Sequence, residues 1–419
     1  MRHRRSIAAG AVVAAGASLL WSTSASDLLA DALFSRPGTA SCVPPSELGR
    51  GPALPLRPLT EAEIAAFERD GSVVLRGVLS DEWVGRLRAL VEDVFAHPNV
   101  WDVLYSRLVA NFYCAQKAIL VHHTSACGRE VAEAAPTTAL AAALLRTSRL
   151  RVAEPTDALG NLRHTSSFAD GCGTTGYHTD DAYMPVARAD PGRAAVVRLW
   201  MPLADFGPEH FHFATLNDSA PSRAARAAAG VVLNGTNYAR HAALVASGLA
   251  DAQELSAGAL GVRRGDVFAF AATTPHVAEA RDCAAPAAGA CLRLILSFAG
   301  DNARYAGGRA AGLIPLRDNQ TTGAPLRGAQ FPTVWPEMAA DEWAAPFRPG
   351  ARTVAAAIAD AVRAGSRSFA GAGAATAARY VGRVAAFAAP WANAWDDADG
   401  RPVSLVAHFG GALARWAVR

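Results

Sequence analysis

The sequence predicts a mainly β protein, a barrel or jelly roll, with helices before it and an Ala-rich helical extension after it. Three observations predict this. Between about residues 160 and 300, short apolar runs alternate with Gly- and Pro-bearing breaks, with no long helical pattern between them. Upstream, two capped helical patterns bracket one β-rich run. Downstream, Val354, Ile358, Val362, Tyr380, Val384 and Phe387 recur at helical spacing in an Ala-rich stretch. The chain has 419 residues, enough for one large catalytic domain with additions or for two domains. Apolar residues make up 51% and charged residues 18%, so most of it should fold as a globule. Net charge is +3 and no basic block is interleaved with aromatics, which argues against nucleic acid as a partner.

In chain order, residues 1–26 read as a targeting segment. Met1 to Arg5 is basic, Ile7 to Trp21 is uncharged and apolar, and Thr23-Ser24-Ala25 offers small residues for cleavage. The expected route is the secretory pathway, to the ER/Golgi lumen or outside the cell. An uncleaved N-terminal anchor is the one membrane contact the sequence admits, and an organelle transit peptide is the alternative reading. Residues 27–57 are rich in Pro, Ser and Gly and read as a linker. Thr60 with Glu63 forms a capping box opening a helix that Asp70-Gly71 ends. Ser72 to Leu79 is β-rich. Ser80 caps a second helix with Trp83, Val84, Leu87, Leu90, Val91 and Val94 on one face. Ala134 to Leu150 reads as helical from Pro136 onward, and His122-His123 read as solvated or capping histidines. Strands follow at Ala194–Leu203, Gly265–Phe270 and Leu292–Phe298. Residues 306–350 look like an ordered extension over the barrel, and 351–389 like a packing or dimer helix, so the chain is expected as a monomer or homodimer. Six Cys without a CxxC pair make a zinc ribbon improbable. Cys283 and Cys291, bracketing a short loop, are the best candidate disulfide.

The chemistry centres on Gly176-Tyr177-His178-Thr179-Asp180-Asp181-Ala182-Tyr183. A His and a carboxylate two residues apart on an extended segment point to one side. With a distant His they form the 2-His-1-carboxylate set of non-heme iron oxygenases. Asp181 is out of phase with His178 on a regular strand. Carboxylate at position 180 favours hydroxylation, since iron halogenases leave that position small.

The run LTEAEIAAFERDGSVVLRGVLSDEWVGRLRALVEDV, from Leu59 to Val94, resembles the N-terminal part of the phytanoyl-CoA dioxygenase family. It shows a helix, then G-hydrophobic-hydrophobic-hydrophobic-(+)-G, then a second helix. The resemblance spans roughly residues 58–305. It implies a double-stranded β-helix core and an enzyme using Fe(II), O2 and 2-oxoglutarate, with ascorbate as a further candidate. It also implies a small-molecule or lipid-like substrate that is hydroxylated with release of succinate and CO2. Residues 306–419 then form a C-terminal extension. His276, in GDVFAFAATTPHVAEA, is the candidate third ligand, as the family carries its distal His after a similar run. A 2-oxo acid needs a cation for its far carboxylate. Arg293 fits, being flanked by Leu292 and Leu294 that point to the other face, with Arg281 as the fallback. Ser297 is in phase with Arg293, and Trp200 and Thr175 are further co-substrate contacts. Tyr177, Tyr183, His210 and His212 are substrate-side candidates. The family's Lys before the iron motif is missing or replaced by His164 or Thr165. Two other functions stay open: a non-catalytic jelly-roll binding protein, and a cupin-type metalloenzyme that does not use 2-oxoglutarate.

Overall fold

The structure, a computed structural model, describes residues 36, 40–99, 102, 115–153, 157–161, 177–182, 184, 186–204, 211–231, 244, 246–256, 261–280, 291–306 and 320–344. All of them belong to one compact unit, Asp27–Ala357. The targeting segment and the Ala-rich helical stretch lie outside the described residues. None of the described helices is long and apolar enough to cross a membrane.

Helix α1 (Glu61–Asp70) starts where the capping box predicts. Glu63 N–H donates to Thr60 Oγ1 at 3.2 Å, and Thr60 N–H donates to Glu63 Oε2 at 2.8 Å. Arg57 clamps the same carboxylate at 2.5 Å and holds Glu63 far below the ordinary range, down to about 2. A depressed carboxyl contributes stability above about pH 4.5 and loses it as pH falls toward 2. Glu63→Gln should therefore cost about 1 kcal/mol at pH 7, since the pair is partly solvated. Urea unfolding should show that deficit narrowing steadily below about pH 4.5. A deficit that stays constant with pH would refute the assignment.

Gly71 ends α1 with φ 77°. A Cβ there would lie 2.4 Å from Thr274 Oγ1, so only glycine permits this approach. The approach is used: Gly71 O accepts from Ala271 N–H at 2.8 Å and from Thr274 Oγ1 at 2.9 Å. Strand β1 (Ser72–Leu75) follows, shorter than the β-rich run suggests because Arg76-Gly77 turns out of the sheet. Helix α2 (Asp81–Ala96) is capped by Ser80 and buries all six expected apolar residues.

Next come β2 (Ala115–Ile119), a single turn at Val121–Thr124, α3 (Ala126–Ala134) and α4 (Pro136–Leu144). The helix expected to reach Leu150 stops at Leu144. Leu150 instead opens β3 (Leu150–Val152), followed by β4 (Asp157–Asn161). His122 is not solvated. It is buried against Phe298, and burial pushes its pKa down to about 3, so it is a neutral core residue. The remaining strands are β5 (Val186–Arg188), β6 (Val196–Pro202), β7 (Phe211–Leu216), β8 (Glu254–Ser256), β9 (Val267–Ala271), β10 (His276–Ala280), β11 (Arg293–Ala299), β12 (Ala303–Tyr305) and β13 (Thr333–Trp335). Helix α5 (Ala220–Ala228) lies between β7 and β8.

The larger sheet runs β1-β9-β6-β11-β3-β13, with β4 also on β11 and β2 on β4. The smaller runs β10-β7-β8. All their pairings are antiparallel. Alternate residues divide the large sheet into two faces. Leu199, Met201, Val267, Ala269, Leu294, Leu296 and Phe298 pack with α2, α3 and α4 in the main core. Trp200, Phe268, Phe270 and Ile295 face the small sheet and meet Phe213 of β7. Phe213 stacks on Trp200 at 5.2 Å and sits edge-on to Phe268 at 5.6 Å. This is two sheets face to face with helices on one outer face.

The segment before α1 is tied down at several points. Cys42 forms a disulfide with Cys127. Glu130 accepts from the N–H groups of Cys42 and Val43 at 2.8 and 3.0 Å. Arg36 is buried in an ion pair with Asp102 at 2.5 Å. Cys291 is also disulfide-bonded, whereas Cys283 lies outside the described residues.

Candidate metal centre

Backbone pairing brings the cluster together before any side chain acts. His178 and His276 sit opposite each other in an antiparallel bridge, exchanging N–H···O bonds of 3.0 and 2.8 Å. Directly opposed residues on such a pair share a face, and the two rings lie 4.3 Å apart. Asp180 N–H donates to Ala272 O at 2.8 Å, at the end of β9. The expected extended segment does not continue through Asp180. The chain enters a 3-10 turn at Asp180–Ala182, held by Ala272 O, which also accepts from Asp181 N–H at 3.1 Å. His276 opens β10.

One ligand atom from each of His178, Asp180 and His276 falls within 4.8 Å of the others. His178 Nε2 is 3.7 Å from Asp180 Oδ1, and His276 Nε2 is 3.4 Å from Asp180 Oδ2. His276 Nδ1 lies 3.1 Å from Thr274 O, which accepts only if Nδ1 carries the proton. Its Nε2 lone pair therefore faces Asp180. Burial drives the His276 pKa down to about 3, with Asp180 opposing, so the ring stays neutral as a ligand must. Two imidazoles and a carboxylate converging on one point fit a divalent transition metal. Asp181 goes elsewhere, lining a small cavity with Met184, Val186, Val196 and Thr273.

One side of this cluster is apolar. Phe270 and Phe213 lie 4.8 and 5.8 Å from the His276 ring. Trp200 belongs to the same aromatic cluster. Arg293 is buried, on the same strand face as Ile295 and Ser297, and its guanidinium donates to Cys291 O at 2.9 Å. Ser297 is fully buried opposite Arg198 in the ladder, and Arg293 is opposite Pro202. Arg293 thus lies four residues, or roughly 13 Å, from Ser297 along the strand.

Tyr177 and His212 come together, but away from the cluster. Both contact the Glu254 carboxylate, His212 at 3.0 Å. The register puts His212 and Ala214 on the opposite face of β7 from Phe213 and Thr215, and Tyr177 packs with Ala214, Leu216 and Val277 on that outer face. Thr175, Tyr183, His210, Arg281, His164 and Thr165 lie outside the described residues.

Sequence reasoning missed Arg198. It is 2% exposed and reaches Asp180 Oδ2 at 3.0 Å. Its signal was the one applied to Arg293: a cation inside an apolar strand run, VVRLWM, that needs an anion.

No family model matches the sequence. No curated protein matches it. Among solved structures the chain is similar to the non-heme alpha-ketoglutarate-dependent epimerase SnoN of nogalamycin biosynthesis, at 20% identity and a TM-score of 0.45, over 65% of this chain and 98% of that one. It is similar to the carbocyclase SnoK of the same biosynthesis at 18% and 0.43, over 68% and 99%. EctD from S. alaskensis, solved with 2-oxoglutarate and 5-hydroxyectoine, matches at 16% and 0.41, over 70% and 94%. At these identities and TM-scores the chain is assigned to none of them.

Proposed function

We propose that this chain is an Fe(II)- and 2-oxoglutarate-dependent oxygenase built on a double-stranded β-helix. It would hydroxylate a small or lipid-like substrate. The observation that carries this is the His178–Asp180–His276 cluster, two imidazoles and one carboxylate at one end of an apolar interior. When bound, iron and 2-oxoglutarate would supply oxygen activation, with one oxygen atom going to the substrate and one to succinate as CO2 leaves. The chain's residues supply binding and exclusion. His178 and His276 offer ring nitrogens, and Thr274 O keeps the His276 proton on Nδ1. Arg293 would pair the far carboxylate of the co-substrate, with Ser297 on the same face. Trp200, Phe213, Phe268 and Phe270 keep water from that interior. Tyr177 and His212 would touch substrate only where it extends past the outer face of the small sheet. The Cys42–Cys127 disulfide supports an oxidising compartment, as the secretory reading expects.

The test needs no substrate. Under anaerobic conditions the protein with Fe(II) should develop the visible charge-transfer band of a chelated 2-oxo acid when 2-oxoglutarate is added. Arg293→Ala should raise the 2-oxoglutarate concentration for half-maximal band by about 100-fold, a loss of roughly 3 kcal/mol for a buried charge pair. Iron binding without a band in the parent protein would exclude 2-oxoglutarate and point to a cupin-type enzyme. An unchanged titration in Arg293→Ala would move the anchor to another cation.

A further inference from the structure

We infer that Arg198 is a positioning residue for Asp180: its guanidinium engages Oδ2, so that Asp180 meets the metal through Oδ1 alone. The inference rests on the reading of the cluster as an iron centre, and assigns a role to a residue outside the three ligands. A guanidinium remains charged throughout the accessible pH range, so a nearly fully buried one is kept only beside an anion. Asp180 is that anion, with Arg198 Nη1 3.0 Å from Oδ2. The two carboxylate oxygens are not equivalent. Oδ2 faces Arg198 at 3.0 Å and His276 at 3.4 Å, while Oδ1 faces His178 at 3.7 Å.

The arrangement is rigid on both sides. Arg198 sits inside β6, with Ser297 of β11 on one side and Phe270 of β9 on the other. Asp180 is fixed through its own N–H to Ala272 O, and Ala272 N–H donates to Val196 O, two residues before Arg198. Ligand and cation therefore hang from the same strand ladder. A carboxylate free to turn can present both oxygens to a metal. That takes a second coordination position and removes one that the co-substrate or oxygen needs. A guanidinium on Oδ2 prevents the turn and withdraws charge from the liganding oxygen.

Co(II) alone is a suitable probe, because it tolerates air and its visible ligand-field bands report coordination number. Full-length parent, Arg198→Met and Arg198→Lys would be titrated with Co(II), with unfolding of each followed in chelator. The expected result is about 10- to 100-fold weaker Co(II) binding in Arg198→Met, the usual scale for losing a group that orients a ligand. Its ligand-field spectrum should change, and Arg198→Lys should recover part of the affinity. Parent-like affinity and an unchanged spectrum in Arg198→Met would overturn the inference while leaving the iron centre standing. Should Arg198→Met fail to fold, Arg198→Lys decides. A shifted spectrum supports the role, and one identical to the parent refutes it. A parent protein that binds no Co(II) brings down the iron reading itself, and this inference with it.

Discussion

Asp180→Ala loses metal and fold stability together, whereas His178→Ala loses metal alone. This contrast follows from what each side chain leaves behind. Without His178, the site lacks one ring whose side chain is partly exposed and whose backbone bridge to His276 survives. Without Asp180, the buried Arg198 guanidinium loses the carboxylate it engages. Removing one partner of such a pair costs about 3–5 kcal/mol. Turnover should fall by about 10^3-fold or more in either variant, equivalent to roughly 4 kcal/mol of barrier. Iron content of the purified variants, with urea unfolding in chelator, separates the two. Retained iron in Asp180→Ala would remove the carboxylate from the ligand set. Equal stability of the two variants would mean that Arg198 finds enough compensation elsewhere.

Cys42→Ser should cost about 4 kcal/mol, the second large effect. The bond joins residues 85 apart in sequence, and opening a loop of that length returns about 4–5 kcal/mol of chain entropy to the unfolded state. The folded segment would not swing free. Glu130 still holds the N–H groups of Cys42 and Val43, Glu133 holds Gly49 N–H, and Arg36 still pairs with Asp102. The loss should therefore appear as a lower denaturation midpoint with a steeper slope, because the unlinked unfolded chain exposes more surface. Reductant should narrow the gap between parent and variant, since only the parent has this bond to lose while the disulfide at Cys291 opens in both. A cost below about 1 kcal/mol would show that the non-covalent contacts already confine this segment.

Much of the site was legible because its signals are local. Alternation identified β11, and a cation inside that alternation marked Arg293 as buried on the face opposite Leu292 and Leu294. The capping box of α1 and the spacing of His178 and Asp180 were equally readable, although the physical route differed. A 3-10 turn held by Ala272 O, rather than strand periodicity, brings Asp180 beside His178. What sequence did not disclose depends on contacts between distant segments. The Cys42–Cys127 pairing has no local signature, and a Pro-rich stretch looks the same whether or not it is pinned. The side-chain direction of His212 also depends on a distant pairing, since β7 turns it toward Glu254, which Tyr177 contacts as well. Arg198 carries the same local signal as Arg293, a cation within an apolar strand run.

The two faces of β11 also determine which kinds of change this gene can tolerate. Leu294, Leu296 and Phe298 belong to the helix-backed core, while Arg293, Ile295 and Ser297 look inward. A substitution alters one face at a time. Deleting or inserting a single codon within the strand exchanges the faces, sending a guanidinium and a hydroxyl among the helices and leucines into the interior between the sheets. Length variation in descendants of this chain should therefore be excluded from the strand and gather in the connection before Cys291. Libraries aimed at new specificity should randomise alternate positions and keep the reading length fixed.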